Sequence, residues 1–82
     1  MEVDFTQHAK EVIAARRLDF EWIRRTMNAP QRVEDAADGT PHFLARVPEQ
    51  EGRVLRVVVN PHVDPPLVVT AFLDRRMRGR MP

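Results

Sequence analysis

Handling a phosphodiester takes a proton carrier and cations, and this sequence offers one histidine and several arginines spaced to supply them. His8 is the proton carrier, because imidazole titrates near neutrality and can act as acid or base without a large shift. Cleavage of RNA by its own 2′-hydroxyl needs such a group, together with cations for the charge that builds on phosphorus. On a helical wheel His8 falls about 60° from Phe5, at the flank of an apolar stripe, and Arg16 falls within about 20° of Phe5, where an apolar residue would ordinarily sit. Arg46 and Arg56 share one face of two alternating strands and could form a two-pronged phosphate clamp. Thr70 is the one hydroxyl within the apolar run Leu67 to Leu73, and Arg75 and Arg76 open a cationic C-terminal stretch that could attract RNA or an acidic protein.

Each of these residues also has a plainer reading. His8 could bond locally near a helix start, and Arg16 could snorkel over the core or pair with a carboxylate. Arg46 and Arg56 could sit on a solvated sheet face, Thr70 could satisfy a neighbouring polar group, and the terminal arginines could be a solvated end. His42 and His62 lack metal-ligand spacing, no glycine-rich phosphate loop exists, and no cofactor is expected.

The elements that must position these groups follow from periodicity. Val3 to Arg17 reads as an amphipathic helix, with Phe5, Ala9, Val12 and Ile13 on one stripe and Asp4 or Thr6 as its cap. Asp19 is placed to cap a second helix from Phe20 to Met27, ended by Asn28-Ala29-Pro30. The period then changes from helical to alternating. Gln31 to Asp35 is a short edge candidate, Asp38-Gly39-Thr40-Pro41 a turn, and His42 to Val47, Arg53 to Asn60 and Leu67 to Leu73 are strands. Alternation puts Phe43, Ala45, Val47, Leu55, Val57 and Val59 beneath the helices, and leaves Arg46, Arg56 and Thr70 on a partly open face; a bulge would reverse part of this. The expected fold is α+β, two N-terminal helices on one face of a three- or four-stranded antiparallel sheet. Residues 1–73 form the single domain and residues 74–82 a mobile basic tail.

Composition narrows the chemistry further. The 82 residues suit one domain, 43% hydrophobic and 30% charged residues suit a folded chain, and the absence of Cys excludes disulfides and thiolate chemistry. Ser and Tyr are also absent, which removes serine nucleophiles and tyrosine acids. The net charge of +1 is unevenly spread: seven basic residues face ten acidic ones through Glu51, whereas six Arg face two Asp from Gly52 onward. No apolar run approaches the roughly 20 residues that cross a bilayer, and Glu2 and Asp4 do not suit a signal peptide, so a cytoplasmic protein without membrane contact is expected.

Several segments together carry a family resemblance. Phe5-Thr6-Gln7-His8-Ala9, Arg16, Leu18-Asp19 and Asn28-Ala29-Pro30 are followed by the run Arg53 to Asn60, by Leu67 to Phe72 and by Asp74-Arg75-Arg76-Met77. This pattern resembles a small bacterial family of unknown function grouped with the fold shared by barnase, EndoU, the colicin ribonucleases and RelE or ParE. The resemblance implies a toxin-like domain that engages RNA or the ribosome, with an antitoxin-like protein as a further partner. If such a domain cuts RNA without a metal, the resemblance implies His8, Arg16 and Thr70 as the catalytic positions, and the reading of the residues adds Arg46, Arg56, Arg75 and Arg76 as phosphate contacts. The other reading is a noncatalytic protein-interaction module of the same fold.

Overall fold

The computed structural model describes residues 2–77 and Gly79. Its elements run β1 (Asp4–Phe5), α1 (Gln7–Ala15), α2 (Phe20–Asn28), β2 (Arg32–Asp35), β3 (Pro41–Val47), β4 (Arg53–Asn60) and β5 (Leu67–Leu73), with 3-10 turns at Pro48–Gln50 and Arg75–Met77. The five strands form one sheet in the order β1-β5-β4-β3-β2. The fold is α+β as expected, but the sheet has five strands and is mixed, because β1 runs parallel to β5 while the other pairs are antiparallel.

That extra strand comes from where the first helix starts. Helix α1 begins at Gln7 because Thr6 caps it, its hydroxyl accepting the N–H of Ala9 at 2.9 Å. Asp4 and Phe5 are thereby freed to pair with Leu67 and Val68. The helix ends in a Schellman turn: Arg17 takes the left-handed conformation at φ 55°, its N–H reaches Ala14 O, and the Leu18 N–H reaches Ile13 O. This turn sends Leu18 into the core and holds Arg16 at the helix end. Asp19 caps α2 through the Glu21 N–H at 2.8 Å. Phe5 meets the Phe20 ring edge-on, with centroids 5.0 Å apart, which ties β1 to α2.

Both helices lie on one face of the sheet. Ala9, Ile13, Ile23 and Met27 pack there against Val47, Leu55, Val57, Val59, Val68 and Ala71, all buried. Residues 55, 57 and 59 alternate onto this face as the sequence pattern predicts. A register shift between Val58 and Val59 leaves Thr70 opposite Val58 and Val68 opposite Val59, so β5 carries the extra residue, Val69. On the other face, Leu44 and Val54 form a small second core closed by Met77. Asp74 and Met77, within the stretch expected as tail, are 4% and 6% exposed and therefore part of the packed unit. Arg78 and residues 80–82 of that stretch lie outside the described residues.

Candidate functional site

The face of the sheet away from the helices carries an ion-pair cluster built on Arg56. This arginine sits mid-strand in β4 between Leu55 and Val57, where only a charged partner could compensate its burial. It is 7% exposed, and its Nε donates to Asp74 Oδ2 at 2.7 Å. Its NH1 nitrogen lies 3.2 Å from Glu34 Oε1 and 2.9 Å from His42 Nδ1. Strand register accounts for the meeting: Glu34 on β2 is opposite His42 on β3, His42 is opposite Val58, and Arg56 is opposite Leu44 and Phe72. Asp74 follows β5 directly, and its other oxygen accepts the Arg76 N–H at 3.0 Å and the Arg76 Nε at 3.4 Å. Arg32 closes the network on Glu34 at 2.9 Å.

Protonation states follow from these contacts. Burial alone would raise the Asp74 carboxyl, but hydrogen bonds from Arg56 and from the backbone and side chain of Arg76 outweigh it, so the carboxyl is held below its ordinary range. A guanidinium is always protonated and only donates, so at His42 the Nδ1 nitrogen must accept; the neutral ring then carries its proton on Nε2. A cavity of about 400 Å³ opens over this cluster, lined by Glu34, His42, Arg56, Phe72, Asp74 and Arg76. Arg76 keeps 81% of its side chain exposed at the rim.

The residues singled out in the sequence divide between this face and elsewhere. Arg56 is the centre of the cluster. Arg46 shares its face, but the two guanidinium groups diverge, because Arg46 NH1 folds back to the Gly52 carbonyl at 2.9 Å. Thr70 stands on the open face too, flanking Val58 on the side opposite His42, so the two are separated by two strand spacings, or roughly 10 Å. Arg16 reaches the margin of this face: its NH1 donates to Ala71 O at 2.7 Å and its guanidinium carbon lies 6.0 Å from the Phe72 ring centroid. Arg75 and Arg76 are exposed on the closing turn. His8 is exposed on the first turn of α1, a helix packed on the covered face, and no hydrogen bond or ion pair among the described residues links it to the cluster.

Sequence reasoning passed over His42, Glu34 and Asp74. A usable signal existed for the first, since alternation already put His42 and Arg56 on one face. Glu34 and Asp74 left no such signal, because the burial of Arg56 that calls for a carboxylate becomes visible only in the structure.

A two-layer α+β domain with an ion-paired open sheet face is thus the class that fold and site define. Within it, residues 5–73 match the family described as a domain of unknown function, DUF4258, and the chain belongs to that family. No curated protein and no solved structure matches the chain.

Proposed function

We propose that this chain is a RelE/ParE-like, toxin-type domain that engages RNA on the open face of its sheet and cleaves it without a metal. The observation that carries the reading is the single cavity-lining cluster in which an imidazole of fixed tautomer, a buried guanidinium and an exposed guanidinium face one hollow. In this reading Arg76 meets the phosphate first, because it alone of the cluster's arginines is both at the rim and largely solvated. The His42 Nε2–H donates a hydrogen bond to the phosphate oxygen on which charge builds, and water protonates the leaving 5′ oxygen. Glu34, the β2 carboxylate that stands on this face and lines the cavity, takes the proton of the attacking 2′-hydroxyl, and a cyclic 2′,3′-phosphate results. Arg16 and Thr70 contribute along β5, and Phe72 offers a ring on which a base can stack. His8 is the competing imidazole, on its place at the flank of the first helix's apolar stripe and on the family resemblance.

One observation favours the noncatalytic alternative. Arg56 is already matched by Asp74 and Glu34, so its charge is spent within the protein rather than held for a transition state. The test incubates a structured RNA with the protein in EDTA and compares His42→Ala with His8→Ala. Cleavage lowered about 100-fold or more by His42→Ala and left nearly unchanged by His8→Ala is the expected result. The reverse pattern moves the imidazole role to α1. RNA that is neither cut nor retained by the wild type leaves the interaction-module reading in its place.

A further inference from the structure

We propose that the chain associates with a second copy of itself through antiparallel pairing of β2 with β2 of that copy, in the register that places Val33 opposite Val33. The inference is independent of the RNA reading and starts from the two edges of the sheet. At the β5 side, the strand edge is covered: β1 pairs with Leu67 and Val68, Thr6 Oγ1 donates to Val69 O at 3.3 Å, and Arg16 takes Ala71 O. At the other side β2 is terminal, and nothing among the described residues lies beyond it. Neither helix packs over it, because α2 lies on β3 and β4.

The groups that β2 offers are defined by its hairpin with β3. The Ala36 N–H donates to Thr40 O and the Gly39 N–H to Ala36 O, so residue 36 bonds inward and the ladder alternates from there. Arg32 and Glu34 bond toward β3, while the N–H and C=O of Val33 and Asp35 point out from the sheet. An incoming strand must therefore bond at Val33 and Asp35, because the Gln31 N–H already turns inward to Leu44 O at 2.9 Å. Three symmetric registers satisfy that condition. Two of them, which put Glu34 opposite Glu34 or Asp35 opposite Asp35 of the copy, are repulsive. The other puts Val33 opposite Val33, so that the two residues exchange a pair of hydrogen bonds, and Arg32 faces Glu34 of the copy on both sides of the axis. Arg32 already contacts the Glu34 of its own strand at 2.9 Å, so the pairing extends a contact of the right sign. Val33 is 51% exposed, the most exposed large hydrophobic residue described, and stacks on its counterpart along the axis. A four-residue strand buries little area, so the association is weak and depends on concentration.

Sedimentation equilibrium over a concentration range of about a hundredfold tests the proposal. The wild type is expected to move from one to two chain masses. Val33→Pro removes an outward donor without touching the inward ladder, and Arg32→Glu sets Glu against Glu34 across the axis. Both are expected to remain monomeric while keeping the wild-type melting temperature in dilute solution, and Val63→Ser, at an exposed hydrophobic residue elsewhere, is expected to dimerise normally. A wild type that stays monomeric throughout overturns the proposal. So does a dimer that survives both β2 variants, since the interface then lies elsewhere. If Val33→Pro does not fold, Arg32→Glu decides alone.

Discussion

The two faces of β4 are buried to a similar degree by different physics. Toward the helices, Leu55 and Val57 are fully enclosed by aliphatic side chains, and their burial is driven by the removal of apolar surface from water. Toward the open face, Arg56 is nearly as enclosed but is held by two carboxylates and an imidazole, each contact with a required direction. An aliphatic core tolerates small shifts of its members, whereas a buried ion pair loses most of its compensation when one partner moves. The helix side therefore supplies cohesion. The open side trades cohesion for fixed positions of charged groups, which is what a site needs.

The difference can be broken hardest at Asp74. Asp74→Ala takes from a buried guanidinium its shorter carboxylate contact and leaves it Glu34 and His42, so it should cost about 3 kcal/mol in urea unfolding. The paired replacement Arg56→Met with Asp74→Leu should recover most of that loss, because the charges that lose a contact are Arg76, which is solvated, and Glu34, which keeps Arg32. Leu55→Ala, on the other side of the same strand, should cost about 2–5 kcal/mol, and no second substitution on the open face should restore it.

Acid sharpens the contrast. The Asp74 carboxyl lies lower in the folded chain than in the unfolded one, so its contribution is complete above the ordinary carboxylate value and is lost as pH falls through the depressed folded value. Stability measured from neutral pH downward should fall less steeply in Asp74→Asn than in the wild type. Leu55→Ala should keep the wild-type slope. The smallest effect is expected at the margin between the faces, where Arg16→Ala removes one hydrogen bond to Ala71 O and should cost about 1 kcal/mol. Its amide-exchange signature should be confined to β5, and spreading of that signature to β3 would mean that the margin is not local.

How much of this was legible depended on the distance over which each contact acts. The runs Arg53–Asn60 and Leu67–Leu73 were read with their observed limits, because apolar alternation and flanking prolines are local signals. The cap of α2, Asp19, was readable for the same reason, whereas for α1 Thr6 was one of two candidates beside Asp4. Strand β1 was not: Asp4 and Phe5 have no strand signal of their own and are held by Leu67 and Val68, more than sixty residues away in the chain. The candidate site was half legible. Alternation put Arg56, Arg46 and Thr70 on the open face, but which carboxylates Arg56 would meet depended on a turn after β5 that reads, in sequence, as the start of a basic tail. Arg16 was marked as out of place on its stripe, and its partner turned out to be a backbone carbonyl rather than a carboxylate.

The bonds from Thr6 to Val68 and Val69 have a consequence for how the molecule is made. Helix α1 leaves the ribosome well before β5, the strand that receives it. Nascent α1 must therefore wait, with its apolar stripe unprotected, until β5 arrives, whereas α2 can already dock on β3 and β4.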